Sequence, residues 1–257
     1  MKRAINSGLT RLGVVALALT AGTVQAEISS TVTAISDYDF RGITQTALDP
    51  AVQASLDWSA ESGLYAGLWG SNVDFGTDQA NVEADFFLGY GGAFTDTFAY
   101  DVGATYYSYY GEDSDVPSVN YWEFHGGLTY AEHYSTTFWY SPDYGNSDKT
   151  AWYLEANVDY PLPWWELGTT VHVGYSAGDY WSDADDEFDD EYFDWAVGLT
   201  RSFGHFDFAL KYVDGSNLDD YDCSRSSIEC GSDPLFSSQA KVVFGVSTTF
   251  PWKKDET

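Results

Sequence analysis

Basic side chains are scarce in this chain, and their scarcity excludes one class of partner. Among 257 residues there are 11 Lys and Arg against 40 Asp and Glu, which gives a formal net charge of −29 at pH 7. Binding to nucleic acid requires a basic surface that neutralises phosphates. We therefore expect no nucleic-acid partner. The sequence leaves open three explanations of the acidity: an acidic exposed surface, an interior that prefers cations, or adaptation to a saline habitat.

Long apolar runs are missing from the chain after its first residues. A membrane-spanning helix needs about 20 consecutive apolar residues, and no stretch beyond Ala26 approaches that length. The first residues have a basic start, an apolar segment from Leu12 to Ala21 and a small-residue cleavage site that ends at Ala26. This pattern is typical of a secretory signal peptide, and its apolar segment is too short to span a bilayer. We predict a signal peptide at residues 1–26 and one mature domain at residues 27–257.

Cysteine is nearly absent, with Cys223 and Cys230 as the two examples. An even number of cysteines in an exported chain favours disulfide formation. We predict a disulfide between Cys223 and Cys230 that closes a short surface loop. Two thiols without a nearby His are a poor basis for metal or redox chemistry, and we expect no cofactor.

Aromatic residues, in contrast, are abundant, and apolar side chains alternate with polar ones. The chain contains 20 Tyr and 10 Trp, and aromatic residues make up 18% of it. From Ala51 to Trp58 the even-numbered positions are apolar, whereas most odd-numbered positions are polar. A period of two predicts a β-strand with one apolar and one polar face. Membrane β-barrels show this alternation and carry aromatic belts at both membrane interfaces.

The alternation recurs along the chain and predicts about twelve strands, an even number as in closed bacterial barrels. Short turns and longer polar loops also alternate between them, as on the periplasmic and extracellular sides of such a barrel. The exception is the loop 76–80, which is shorter than the turn 91–97. A soluble β-sandwich would not sort its connections by length. We therefore predict an all-β fold, an antiparallel transmembrane β-barrel. The predicted strands lie near residues 28–40, 51–58, 64–75 (outer face left open), 81–90, 98–110, 119–130, 134–140, 150–160, 165–175, 192–201, 206–213 and 238–250.

Residues 36–72 carry motifs that resemble a known family. They are Ser-Asp-Tyr-Asp-Phe-Arg-Gly at 36–42, Thr-Gln-Thr at 44–46, Pro-Ala-Val-Gln at 50–53 and Gly-Leu-Tyr-Ala-Gly-Leu-Trp-Gly-Ser-Asn at 63–72. These motifs resemble the opening signature of the TorF-type porins, a proteobacterial family of outer-membrane proteins. The resemblance is close over residues 36–90. It implies a β-barrel in the outer membrane of a Gram-negative bacterium, and it supplies neither a substrate nor catalytic residues.

Charged side chains on the polar faces are candidates for lining a pore. Ionised carboxylates in a water-filled lumen repel anions and concentrate cations. We hypothesise that Arg41 against Asp37, Asp39 and the acidic strands creates a transverse field at the constriction. The alternative is a plugged interior, in which acids and bases pair or a loop folds inward. The pore-lining candidates are Asp37, Asp39, Arg41, Glu83, Asp85, Asp101, Glu123, His125, Glu155, Asp159, His172, Asp194, Lys211 and Lys241.

The acidic run at residues 183–191 offers weak candidates for metal binding. Its oxygen ligands suit Ca²⁺ or Mg²⁺, but the run lacks the EF-hand spacing with its central Gly. A solvated acidic loop is the better interpretation, and we expect no metal site. The weak candidates are Asp185, Asp186, Asp189 and Asp190.

An outer-membrane hydrolase is a further alternative, with His125 or His172 as the base for a serine. Both histidines fall on predicted luminal faces, and no G-x-S-x-G motif surrounds a candidate serine. We therefore expect no enzymatic activity.

The function that the sequence predicts is passive diffusion of small hydrophilic solutes, with a preference for cations, through an outer-membrane channel. Its partners would be these solutes together with outer-membrane lipid and lipopolysaccharide, and its oligomeric state is left open. The alternative is a non-conducting outer-membrane binding protein or receptor that uses its acidic, aromatic extracellular loops. In that case an aromatic cage would hold a cationic ligand, although we favour the interpretation that these aromatics belong to the outer interface girdle. They are Tyr107, Tyr109, Tyr110, Tyr180 and Trp181.

Overall fold

A computed structural model of the protein describes residues 26–182, 191–216 and 235–252. Twelve long strands form the wall of a barrel, and two short strands form a hairpin between the first two of them. The short strands are β2 (Asp39–Phe40) and β3 (Ile43–Thr44), and a single 3-10 turn spans Tyr144–Asn146. The wall strands are β1 (Glu27–Ile35), β4 (Ala51–Ser59), β5 (Leu64–Asn72), β6 (Val82–Ala93), β7 (Phe98–Tyr110), β8 (Tyr121–Tyr130), β9 (Tyr134–Ser141), β10 (Ala151–Pro161), β11 (Leu167–Ala177), β12 (Glu191–Phe203), β13 (Phe206–Ser216) and β14 (Lys241–Phe250).

The sheet closes on itself because β1 pairs with both β4 and β14. The register aligns Ala34 of β1 with Val52 of β4 on one side and with Val246 of β14 on the other. Every neighbouring pair in the wall is antiparallel, and the strand order around the ring follows the sequence. Closure removes free strand edges, which hydrocarbon does not tolerate. The predicted antiparallel barrel of about twelve strands is confirmed.

The two faces of each strand differ as a period of two requires. Along β5, which the sequence left ambiguous, Leu64 and Leu68 point outward and are 51% and 45% exposed, whereas Tyr65 points into the barrel and is 5% exposed. The outer surface is therefore apolar and the inner surface is largely polar. Soluble proteins have the opposite distribution, with apolar residues inside, whereas a lipid environment favours an apolar outer surface.

Aromatic side chains form two belts on the outer surface. One belt lies beside the short turns, and the other lies beside the long loops. Such belts mark the two interfaces of a membrane in β-barrel proteins. The first belt includes Trp58, Tyr90, Tyr130, Tyr134, Tyr160 and Phe206, and the second includes Tyr110, Trp122, Tyr140, Phe193, Trp195 and Tyr212.

The connections alternate strictly in length once the strand ends are known. β6 continues to Ala93, three residues beyond the predicted end, so the turn that follows is residues 94–97 and the preceding loop is residues 73–81. This corrects the exception noted in the sequence. The other short turns are residues 60–63, 131–133, 162–166 and 204–205, and the other long loops are 36–50, 111–120 and 142–150. The connections 178–190 and 217–240 are also long and include residues outside the described ranges.

The first strand ends earlier than the alternation predicts. β1 stops at Ile35 instead of Phe40, and residues 36–50 turn into the barrel. We call this segment the inner loop. Its hairpin β2–β3 has extended backbone, and for that reason the alternating pattern continues past the true end of the wall strand. Asp37 and Asp39 thus lie on the inner loop and not on the wall.

Several predicted features lie outside the described residues. They are the signal peptide up to residue 25, the disulfide between Cys223 and Cys230, and the weak metal candidates Asp185, Asp186, Asp189 and Asp190.

Within residues 26–182, 191–216 and 235–252, no helix has the length and apolar character that crossing a membrane demands.

Candidate functional site

The tip of the inner loop is a two-residue turn that places Arg41 at the centre of the barrel. Phe40 pairs with Ile43, and the two residues between them have positive φ angles, 53° at Arg41 and 85° at Gly42. Two positive φ angles define a type I′ hairpin turn, which favours Asn, Asp or Gly at its first position. A left-handed conformation costs an ordinary L-residue about 1–2 kcal/mol. Arg is disfavoured at a left-handed position, so its presence there indicates that its side chain has a role.

The guanidinium of Arg41 is held by a carboxylate and three aromatic rings. Its Nη1 and Nη2 donate to Oε1 and Oε2 of Glu123 at 2.9 and 2.8 Å, and the two side chains are 9% and 1% exposed. The Arg41 Cζ atom lies 4.7 Å from the ring centre of Phe40, 4.2 Å from that of Tyr153 and 5.9 Å from that of Trp139. Bidentate pairing and ring stacking are the contacts that a planar guanidinium makes best. We call Glu123, Trp139 and Tyr153 the Arg41 site.

Electrostatics fixes the charge of this group. Burial lowers the pKa of Arg41, but the adjacent carboxylate of Glu123 raises it by more, so the pKa lies well above its ordinary value. The side chain is therefore a permanent cation, and its partner is an almost fully buried anion. A buried charge that loses its partner costs several kcal/mol.

The walls of the Arg41 site are themselves held in place. Trp139 Nε1 donates to Glu155 Oε1 at 3.0 Å, and the Tyr153 hydroxyl donates to the Asp194 carboxylate at 3.1 Å. Trp139 and Tyr153 lie directly opposite each other on β9 and β10, and Glu123 lies on the adjacent β8. The site is thus part of the barrel wall and does not depend on the inner loop for its shape.

A second ion pair holds the other end of the inner loop. Lys241 Nζ, on β14, lies 3.1 Å from Asp37 Oδ2 and 2.9 Å from Asp39 Oδ1. Burial raises the pKa of the Asp39 carboxyl above its ordinary value, although Lys241 opposes the shift. Sequence reasoning set Arg41 against Asp37, Asp39 and the acidic strands; in the structure Lys241 holds both aspartates, and Arg41 faces Glu123 of the acidic strand β8. The hairpin directs Arg41 at its tip away from Asp37 and Asp39 near its start, and an alternating strand pattern does not show this direction.

The two ion pairs lie on opposite sides of the barrel. In the ring of twelve strands, β8 is six strands from β14 in either direction, so Glu123 and Lys241 are diametrically opposed. Between them the inner loop packs against the wall through the rings of Tyr38 and Trp69, whose centres are 5.4 Å apart. Thr44 and Asp37 are buried and joined by a short hydrogen bond. The inner loop therefore crosses the lumen from wall to wall.

Two similar networks of Tyr, Asp and His lie below the inner loop. In the first, the Tyr65 hydroxyl donates to Asp101 Oδ1 at 2.8 Å, and His125 Nε2 lies 2.5 Å from the same oxygen. In the second, His172 Nε2 lies 2.9 Å from Asp194 Oδ1 and from the Tyr153 hydroxyl, and Asn157 Oδ1 is 2.8 Å from His172 Nδ1. In the described ranges no serine hydroxyl bonds either histidine, so the geometry offers no nucleophile–base pair of the kind a serine hydrolase requires.

Glu83 and Asp85 form an acidic pair on β6 that has no basic partner among the described residues. They point inward from β6, at 2% and 1% exposure, opposite Tyr109 and Tyr107 of β7. The Tyr109 hydroxyl donates to Glu83 Oε1 at 3.1 Å. Among the ion pairs of the described residues, none includes Glu83 or Asp85. The wall beside the inner loop therefore carries two adjacent, buried carboxyl groups.

The remaining candidates are spread along the lumen. Glu155 and Asp159 share the inward face of β10, and Asp159 lies nearer the short turns, where its N–H donates to the carbonyl of His133 at 2.9 Å. Lys211 points inward from β13, where it pairs with Gly198 of β12. All the candidates on wall strands share the inward face, as predicted. In the described part of the chain, no group of three His, Cys, Asp or Glu side chains is arranged to hold a metal ion.

Comparison with known proteins places the chain in a family. A family model described as "Bacterial protein of unknown function (Gcw_chp)" matches residues 20–250. The chain belongs to the Gcw_chp family. No curated protein matches it in sequence. The TorF-type assignment stays a prediction.

Solved structures of porins share the fold of this Gcw_chp member. The structure of the NanC porin is similar with a TM-score of 0.53 and 8% identity, covering 88% of this chain and 100% of that one. The KdgM porin in complex with disordered oligogalacturonate is similar with a TM-score of 0.50 and 10% identity, covering 88% and 99%. At these identities the likeness concerns the fold alone.

Sequence reasoning missed the inward-facing aromatic residues of this Gcw_chp barrel. Tyr65, Trp139 and Tyr153 are buried inside the lumen, although aromatic residues in a barrel are first expected on the lipid face. The signal was available in their parity. Trp139 lies between the outward-facing Phe138 and Tyr140, so an aromatic residue occupies a position where the alternation calls for a polar one.

Proposed function

We propose that this protein is an outer-membrane channel of the porin type that passes small hydrophilic solutes and prefers cations. Its narrowest part is the level at which the inner loop crosses the lumen. The observation that carries the proposal is the nature of the contacts there. Ion pairs on opposite walls, at Glu123 and Lys241, hold a loop across a polar barrel, as expected for a constriction inside a water-filled lumen.

The preference for cations rests on the charges around that constriction. Among the inward-facing candidates, carboxylates outnumber Arg and Lys side chains. Arg41 and Lys241 are both neutralised by carboxylates, and the other Asp, Glu, Lys and Arg candidates on the wall strands are six carboxylates and one Lys, Lys211. The remaining field is negative, and a negative field in a narrow, low-dielectric passage concentrates cations.

The proposal extends to the setting of the protein. We infer export through a cleaved signal peptide at residues 1–26, insertion in the outer membrane of a Gram-negative bacterium among lipid and lipopolysaccharide, and kinship with the TorF-type porins. The aromatic belts support a membrane position, because Tyr and Trp favour the interface between lipid and water.

The second candidate is a non-conducting binding protein. It is favoured by one observation, namely that residues of the inner loop such as Asp37, Tyr38 and Thr44 are buried within the barrel. If the inner loop stays packed in this way, it closes the lumen and no solute passes through the barrel. The two candidates differ in one measurable property, which is current through the reconstituted protein.

Single-channel recording in a planar bilayer with a KCl gradient tests the proposal. We expect discrete current steps and a reversal potential of the sign for cation selectivity. Glu155→Gln combined with Asp159→Asn, which neutralises two partly exposed carboxylates on the inward face of β10, should move the reversal potential towards zero while the steps remain. Glu61→Gln, in the exposed turn 60–63, is the matched control and should leave selectivity unchanged.

A silent wild-type protein requires one further variant. Arg41→Gly removes the tip anchor of the inner loop and suits the left-handed turn, so a channel closed by this loop should begin to conduct. Silence of both proteins, each shown to be folded by heat-modifiable migration on a gel, would refute the channel and favour the binding protein.

A further inference from the structure

The contacts of Arg41 are those of a receptor with its ligand. A carboxylate binds the guanidinium through two parallel hydrogen bonds, and aromatic rings of the wall cover it at 4.2 Å and 5.9 Å. Carboxylate forks combined with ring faces are how proteins recognise free guanidinium groups. Here the group belongs to the chain itself.

We propose that the Arg41 site is the lumen's binding site for solutes that carry a guanidinium group, and that Arg41 occupies it as a tethered copy of that group. The inference rests on the proposed function and names the class of cation for which the channel is built. A guanidinium is favoured over an ammonium because the pairing with Glu123 is bidentate and planar.

The site is pre-formed on the wall. Glu123, Trp139 and Tyr153 come from three consecutive strands, and hydrogen bonds to Glu155 and Asp194 orient the two rings. Departure of the inner loop therefore leaves both rings in place, together with the wall strand β8 that carries the acceptor Glu123. A pre-formed acceptor binds a free ligand without paying to organise itself.

The tether is attached through a disfavoured backbone. Arg41 has a φ of 53°, a conformation that a residue with a Cβ adopts at a penalty. This penalty weakens the hold of the loop on the site while leaving the site's affinity for a free guanidinium intact. A solute at a concentration comparable with the effective concentration of the tethered group, millimolar for a short link, can then displace it.

Calorimetry on the folded full chain in detergent tests the site without relying on current. The probe is methylguanidinium, the head group of an Arg side chain, and N-methylurea is its neutral analogue of similar shape. We expect Arg41→Gly to bind methylguanidinium at least about tenfold more tightly than N-methylurea, since one charged pair is worth at least the 1.4 kcal/mol of a tenfold change. Glu123→Gln added to Arg41→Gly should abolish that preference.

The wild-type protein supplies the decisive comparison. We expect it to bind methylguanidinium as well, at least about tenfold more weakly than Arg41→Gly because Arg41 competes. If Arg41→Gly binds methylguanidinium but the wild type shows no binding at any probe concentration, Arg41 is a permanent anchor and the proposal is overturned. Equal affinity for both probes would also overturn it. Since calorimetry requires no current, a silent channel that binds methylguanidinium refutes the channel and leaves the site standing.

Discussion

Neutralising Glu123 should release the inner loop into solvent. Glu123→Gln keeps the shape of the side chain but removes the charge that pairs with Arg41 at 2.8 Å. The guanidinium then remains in a buried position without its counter-ion, because the carboxylates of the loop itself, Asp37 and Asp39, are bound to Lys241 on the opposite wall. The unpaired guanidinium of Arg41 becomes hydrated when the tip of the inner loop leaves the lumen.

The size of the effect follows from burial. The side chains of Arg41 and Glu123 are 9% and 1% exposed, so solvent screens their interaction little. Removing one partner of such a pair costs about 3–5 kcal/mol, and a cost of that size raises the released population by a factor of about 10² to several times 10³. The neutral amide still accepts one hydrogen bond from the guanidinium, and for this reason we expect the lower end of the range.

Limited trypsin digestion reads out the release directly. Trypsin cleaves after Arg, so the bond between Arg41 and Gly42 is protected while the loop is docked and exposed once it leaves. When opening and closing are fast compared with cleavage, the cleavage rate follows the open population. We expect the rate at this bond to rise about 100-fold in Glu123→Gln and to stay at the wild-type value in Glu61→Gln. A rate within about threefold of wild type, which is less than 1 kcal/mol, would refute the ion pair as the lock.

Two further outcomes can be stated. Gly174→Ala should destabilise the protein by about 1–3 kcal/mol by overpacking, because the added Cβ would overlap the Tyr153 hydroxyl and approach Asp194 Oδ2 to 2.5 Å. Urea unfolding in vesicles measures the loss of stability. The control is Gly126→Ala, whose added Cβ meets no heavy atom within 4 Å and whose stability should lie within about 0.5 kcal/mol of wild type. Asp39→Asn should be at least as stable as wild type at pH 7. A raised carboxyl pKa weakens the folded state only where that carboxyl is ionised, so the stability advantage of the variant should fade as the pH falls through the raised pKa of Asp39 towards the ordinary value. Unfolding midpoints at pH 7 and pH 4 test this, and an advantage that grows on acidification would contradict it.

The wall of the barrel was predictable because one simple rule governs it. Lipid requires the outward residues to be apolar, so the period of two identifies strands and faces together. Leu64, Leu68 and Tyr65 show the limit of the rule, since β5 carries apolar residues on both faces and the sequence left its orientation open. The extension of β6 through Gly91 and Gly92 to Ala93 was also missed. Its pairing with residues 99–101 of β7 supports a segment of low β-propensity.

The inner loop could not be predicted from local pattern. Its key contact joins Arg41 to a residue 82 positions away, and its hairpin alternates as a wall strand does. Parity shows that Glu123 points inward, but it does not show which of several basic side chains will meet it. The sole local hint was the Arg-Gly turn, where Arg occupies a position that favours Asn, Asp or Gly.

The same rule that makes the wall predictable explains why the inner loop is held by charge. An outer surface that must be apolar leaves the lumen largely polar, so a loop inside the barrel meets charged side chains beside the internal apolar cluster around Tyr38. Tyr38 and Phe40 contact rings of the wall, but the ends of the loop depend on Arg41 with Glu123 and on Lys241 with two aspartates. An apolar anchor is released only by loss of packing, whereas an ionic anchor is also released by a competing ion. A loop that crosses the lumen of a membrane barrel is thereby exposed to the charge of whatever enters the barrel.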